Sequence, residues 1–189
     1  NYGMFKFGGI SFAFLEDRKF KTAPIQGEDL DVHEAQLLGV RQEAFLEAWR
    51  QDEEGVDGRI CLTQSLFACL QTSPRGQPLL DWDANGQPKL HRDRAIRLLR
   101  AAGALVLSGD QHLGSLIRHG IDSHTDGVVQ FTGPAGVSFW QRWFEPSEVL
   151  ANGGGEPYTG DFTDAFGNKL RVHAIANPKI TFAYYRQFK

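Results

Sequence analysis

Six consecutive residues carry the clearest chemical signal in the 189-residue sequence: Leu107-Ser108-Gly109-Asp110-Gln111-His112. An apolar run, Ala104 to Leu107, ends at a serine and a glycine, and a carboxylate and an imidazole follow two positions apart. The run reads as a strand buried on both faces. In open α/β sheets, functional groups collect at the carboxyl ends of strands. Residues i and i+2 of extended backbone share a face, so Asp110 and His112 are expected to point at one metal ion. Oxygen and imidazole donors suit iron, manganese or zinc, and the carboxylate alone suits calcium. Asp-X-His is also a short string. A turn aspartate beside a surface histidine is the competing reading.

Arg18 follows an aromatic, strand-like segment and stands next to Asp17. A guanidinium suits bidentate contact with a phosphate; the alternative is a structural pairing with Asp17 or the loop. Asp81, Asp83 and Asn85 alternate as at the start of a calcium loop, but the distant glutamate of that pattern is absent. They read as turn residues, or as the rim of an active-site mouth. Thr63-Gln64-Ser65 follows a short strand and is placed to line a pocket, without a general base for a serine nucleophile. His119 and His173 fall in strand-like stretches and read as structural histidines. His33, His91 and His124 lie in polar segments and read as solvated. Arg92, Arg94, Arg97 and Arg100 are expected to form a solvated helix face. No glycine-rich loop runs into Lys-Ser or Lys-Thr, which argues against a nucleoside triphosphatase. The stretch Phe139-Trp140-Gln141-Arg142-Trp143-Phe144 has two readings. It is core or lid packing, or it is the stacking surface of a non-enzymatic β-rich module that binds a sugar or a partner protein.

The elements that must position these residues are mixed α and β. Phe5 to Leu15 predicts a β-hairpin turning at Gly8-Gly9, and Lys19 to Asp31 a loop. Glu34 to Gln51 has helical periodicity, with a start after Gly39 as the alternative. Arg59 to Leu62 predicts a strand, Gln71 to Lys89 a long polar loop, and His91 to Ala102 a helix stopped by Gly103. Further strands are expected at Ala104 to Leu107, Leu113 to His119, Val128 to Thr132, Asn168 to Ile175 and Ile180 to Tyr185. Ala151 to Gly160 reads as a flexible connection. The fold class is α/β, with an antiparallel hairpin at each end.

Composition narrows the function. Twenty basic against 23 acidic residues give a net charge of −3. That balance argues against a nucleic-acid binder working through a broad basic surface, though not against a local cationic pocket. A hydrophobic fraction of 41% and a charged fraction of 23% suit one globular domain. No run approaches the ~20 apolar residues of a membrane span. Cys61 and Cys69 form no paired zinc motif and read as two buried thiols, with one disulfide as the alternative. The sequence starts at Asn1 rather than methionine, and reads as a piece of a longer protein or one whose natural start has been removed.

Several stretches, in order, resemble the C-terminal half of the PhoD-like alkaline phosphatases, within the calcineurin-like metallophosphoesterases. Phe5 through Arg18 resembles that family's strand pair, with Leu15-Glu16-Asp17-Arg18 where the family usually has Leu-Asp-X-Arg. Leu37-Leu38-Gly39-Val40-Arg41-Gln42 resembles its Leu-Gly-X-X-Gln helix start. Asp83-Ala84-Asn85-Gly86-Gln87-Pro88 and Arg92-Asp93-Arg94-Ala95 resemble the loop and helix before its metal strand. Ser108-Gly109-Asp110-Gln111-His112 resembles its late metal motif. The resemblance implies a two-sheet β-sandwich flanked by helices, of which residues 1–189 are the C-terminal part of a single domain. It implies hydrolysis of phosphomonoesters and phosphodiesters at a binuclear or polynuclear site, with iron, calcium, manganese or zinc as the metal. By that match Asp110 and His112 are metal ligands and catalytic residues; Arg18, from its guanidinium chemistry, is the candidate substrate-binding residue. The family's earlier motifs have no counterpart here and would lie before Asn1. The chain is therefore expected to supply part of the site and to need an N-terminal segment of the same protein. The family is often exported, which implies an extracytoplasmic setting.

Overall fold

Gly8 and Gly9 both adopt positive φ, 57° and 79°, as a two-residue hairpin turn of the mirror-image type requires. They join β1 (Gly3–Phe7) to β2 (Ile10–Phe14) in antiparallel register, with Phe7 opposite Ile10. The computed structural model describes residues 1–22, 35–135, 142–176 and 179–180. After the hairpin come α1 (Gly39–Gln51), β3 (Gly58–Leu62), α2 (Lys89–Ala101), β4 (Leu105–Ser108), β5 (Gly114–His119) and β6 (Val129–Thr132). Then follow β7 (Arg142–Trp143), β8 (Gly160–Thr163), β9 (Lys169–Ala176) and β10 (Lys179–Ile180).

Eight strands form one mixed sheet in the order β1-β2-β3-β4-β6-β5-β9-β8, and β7 and β10 form a second, two-stranded one. The pairs β2–β3, β3–β4 and β4–β6 are parallel. These four strands therefore point the same way, and their carboxyl ends share one edge of the sheet. Asp17 and Arg18 follow β2, Thr63 to Ser65 follow β3, and Asp110 to His112 follow β4. The fold is α/β, one mixed eight-stranded sheet with two helices.

Both helices cover the same face. Leu46 and Trp49 of α1 and Ala95, Ile96 and Leu99 of α2 pack with Ala13, Cys61 and Val106 of the sheet. A second core forms where Ile117, Leu170 and Val172 of β5 and β9 meet Leu66, Leu113 and Phe144. The other face is also apolar. Phe5 stacks on Phe12, with ring centroids 4.7 Å apart, and the cross-strand register continues through Ile60 to Leu105. Among the described residues nothing seals it: Phe5 is 48% exposed, Phe131 51% and Leu105 38%. Burial of the β4 run on both faces is thus not met, because both helices lie on one side.

The α1 helix starts at Gly39, where φ is +75°. The solvated arginine face of α2 holds for Arg94, Arg97 and Arg100 but not for Arg92, which is fully buried. Arg92 shares the inward spacing of Ala95, Ile96 and Leu99. Its guanidinium donates to the carbonyls of Phe67 and Gly120 at 2.9 and 2.6 Å, and to Asp93 Oδ1 at 2.8 Å. Cys61 and Cys69 are free and buried. No described helix is long and apolar enough to cross a membrane. His33, residues 139–141 and most of the strand expected at 180–185 lie outside the described residues. Within that aromatic stretch, Phe144 is buried edge-on against Phe162, and Arg142 is buried too. Its described part packs rather than presenting a stacking surface.

Candidate active site at the carboxyl edge of the sheet

The β4 strand is pinned at its end before the chain turns. Ser108 Oγ lies 2.9 Å from Thr132 Oγ1, and Gly133 N–H donates to the Ser108 carbonyl at 2.9 Å. Gln111 then plugs inward, donating from Nε2 to Ser65 Oγ at 2.9 Å. The residues on either side of this anchor, Asp110 and His112, adopt φ of +71° and +53°. The extended backbone assumed for them is not what forms. Both are left-handed, a conformation uncommon outside glycine, though Asp and His tolerate it better than most. Strain of this kind persists where surrounding structure over-determines it and clusters at functional sites.

Arg18 reaches this turn. Its Nη1 donates to Asp110 Oδ2 at 2.8 Å and its Nη2 to Asp83 Oδ1 at 2.6 Å. The three side chains are 37%, 41% and 68% exposed, so the bridge adds little stability; its consequence is placement. Arg18 does not pair with Asp17. The Asp17 carboxylate turns into the protein, where it accepts from Gln64 N–H at 3.1 Å and Asn85 Nδ2 at 2.6 Å. Burial pushes its pKa up to about 6 despite these donors.

The loop from Asp81 to Asn85 packs beside this turn and is held at every second residue. Arg142 Nη1 donates to Asp81 Oδ2 at 2.7 Å, Arg18 holds Asp83, and Asp17 holds Asn85. Lys21 Nζ adds donations to the carbonyls of Trp82 and Ala84, at 3.0 and 2.6 Å. Burial brings the Lys21 ammonium down to about 8. Sequence reasoning missed Lys21 and Arg142. The alternation of Asp81, Asp83 and Asn85 was the signal in the sequence that this loop needs partners.

The histidines divide by environment. His112 is partly buried, and burial, with the Arg142 charge, holds its pKa below the ordinary 6.5. Its imidazole is neutral at pH 7, with a lone pair to offer a metal. His119 is fully buried. Its Nδ1 lies 2.9 Å from Arg92 Nη2 and its Nε2 2.7 Å from Gln130 Oε1. Since the guanidinium only donates and that amide oxygen only accepts, Nδ1 accepts and Nε2–H donates. His119 is a structural link between α2 and the sheet. His173 is exposed on β9.

Thr63 and Ser65 are packed inward, and Gln130 Nε2 donates to the Ser65 carbonyl at 3.2 Å. Among the described residues, no group of three or more His, Cys, Asp or Glu is placed to hold a metal ion. Asp110 and His112 supply two donors of suitable chemistry, and one Asp110 oxygen is held by Arg18. A well-held metal takes four or more ligands. The described residues therefore fit part of a metal's shell and not a whole one.

No family model matches the chain, and no curated protein matches it. Among solved structures the chain is similar to a structure of PhoD, at 20% sequence identity and a TM-score of 0.55. The match covers 71% of this chain and 28% of that one, so the chain spans little more than a quarter of the solved protein's length. In fold, the chain is PhoD-like and corresponds to a part of that larger structure.

Proposed function

We propose that this chain supplies part of the active site of a metal-dependent phosphoric ester hydrolase. The observation that carries the proposal is the Arg18 guanidinium bridging Asp83 and Asp110, next to His112, at the carboxyl edge of parallel strands. The PhoD-like fold and the resemblance of the Ser108-to-His112 motif support it. Asp110 and His112 hold metal, with the remaining ligands coming from polypeptide outside residues 1–189. A metal bound there polarises phosphoryl oxygen and lowers the pKa of bound water. Arg18 receives the phosphate oxygens of a phosphomonoester or phosphodiester. Its exposed carboxylate partners are released at small cost, and its planar fork matches a phosphate better than an ammonium does. Lys21 and Asp17 fix the rim loop against which the ester sits. An extracytoplasmic setting belongs to the same proposal and rests on the resemblance alone.

The test is hydrolysis of p-nitrophenyl phosphate and its bis ester by the complete encoded protein, with iron, calcium, manganese or zinc added. Turnover that depends on added metal and falls in Arg18→Ala supports the proposal. Turnover unaffected by Arg18→Ala and by loss of both Asp110 and His112 would contradict it. Residues 1–189 alone, with two ligands, are expected to turn over poorly.

A further inference from the structure

The edge of the sheet opposite the candidate site holds a cavity. The parallel strands β4 and β6 begin there, with Val106 opposite Gln130, and Arg118 of antiparallel β5 stands opposite Val129. Gly103 ends α2 on this side at a φ of +63°. A Cβ built on it would meet nothing within 4 Å, so the space beside it is open. Gly127 holds the facing loop close to the helix: a Cβ there would lie 2.6 Å from the His119 carbonyl oxygen and 2.8 Å from Ile96 Cγ2. The cavity between the two loops has a volume of about 520 Å3, within the range of small-molecule sites, ~300–1,000 Å3.

Its lining divides by chemistry. Leu105, Val128 and Val129 form an apolar wall, and Arg100 and Arg118 bring two guanidiniums. The other arginines of α2 each meet a carboxylate: Arg92 with Asp93, Arg94 with Glu43 and Arg97 with Asp122. Arg100 and Arg118 meet none among the described residues. Arg118 makes one long donation, to the Gly127 carbonyl at 3.4 Å, a small part of the five N–H groups a guanidinium carries. Asp126 also lines the cavity, but its carboxylate is turned to its own loop, accepting from Ile121 and Asp122 N–H at 2.7 and 3.1 Å. Two positive charges against one negative leave the lining cationic.

We propose that this cavity binds a small organic anion, with its phosphoryl or carboxyl oxygens on Arg100 and Arg118 and its apolar body on Leu105 and Val129. A guanidinium fork matches either oxyanion in two-point contact. An apolar body takes Leu105 and Val129 out of water, so a bare inorganic ion is the weaker ligand. The binding uses neither Asp110 nor His112, which lie past the other end of β4.

The test is calorimetric titration of the complete encoded protein carrying Arg18→Gln and His112→Ala. Those two changes remove the phosphate contact and a metal ligand proposed for the β4 turn, so the result stands apart from the hydrolase reading. The probes are phenylphosphonate, benzoate, inorganic phosphate and benzylamine, which carries the opposite charge on a similar ring. At least one ring anion is expected to bind, more tightly than inorganic phosphate, and benzylamine is not. Arg100→Gln and Arg118→Gln are each expected to weaken that anion by about tenfold or more, the loss of one hydrogen bond to a charged group. Arg97→Gln, on the same helix, is expected to leave it unchanged, with folding of every variant checked by circular dichroism. Failure of both ring anions to bind, equal binding of benzylamine, or an affinity unchanged by either arginine substitution would overturn the inference. Inorganic phosphate binding as tightly as the ring anions would also overturn it, as an adventitious ion only.

Discussion

Arg18 and Asp110 stand 92 positions apart in the sequence, and their side chains meet at 2.8 Å. One leaves the end of β2 and the other the turn after β4, two parallel strands separated by β3. Asp83 closes the bridge from a third segment. This convergence makes one locus of three separate stretches of chain.

Arg18→Lys is expected to behave like Arg18→Ala in the complete protein. A single ammonium cannot hold Asp83 and Asp110 in the same geometry and take a phosphate in two-point contact. Folding stability should change by about 1 kcal/mol or less, since all three side chains are exposed. Steady-state kinetics beside urea denaturation checks both halves.

Asp110→Gly should separate stability from function. Glycine relieves the left-handed φ of +71°, a gain of about 1 kcal/mol that offsets the lost Arg18 pair. Activity and metal content should nevertheless fall by orders of magnitude. Thermal unfolding and metal analysis of the same sample read the two effects.

Asp17 gives a pH signature. Its folded pKa of about 6 lies above the ordinary 3.8, so the folded state holds this proton more tightly than the unfolded state. Its contribution is fully present below pH 3.8 and is lost as pH rises through about 6. The gap corresponds to about 3 kcal/mol. Asp17→Asn should flatten that part of the stability profile, measured by urea denaturation across the window.

Arg92→Met is expected to destabilise the fold by roughly 3 kcal/mol, because it leaves the buried Phe67 and Gly120 carbonyls without their donor and Asp93 with Lys89 as its remaining partner. Arg97→Met, on the exposed side of α2, should stay within about 0.5 kcal/mol. Urea denaturation of the pair gives the comparison.

Local pattern made much of the fold legible. Gly8-Gly9 between aromatic runs announced the hairpin, and the apolar periodicity of α2 announced its inner face. Arg92 was hidden because its residue type argues for solvent, and only the tertiary placement of two carbonyls and His119 reverses that. For the site, the order Ser108-Gly109-Asp110-Gln111-His112 marked the turn but not its backbone. Gln111 is buried between two left-handed residues, and its partner Ser65 is 46 residues away. The Arg18 bridge and the rim contacts of Lys21 and Arg142 are long-range pairings that no local spacing encodes.

The proposed role of the β4 turn is to hold metal in a hydrolase site. It is tested most directly by comparing His112→Ala with His173→Ala in the complete protein, measuring bound metal and turnover at saturating metal, with folding checked by circular dichroism. His112→Ala is expected to lose metal and turnover by orders of magnitude, while His173→Ala, at a residue exposed on β9, keeps both. Loss of metal and activity in His173→Ala with both retained in His112→Ala would contradict it.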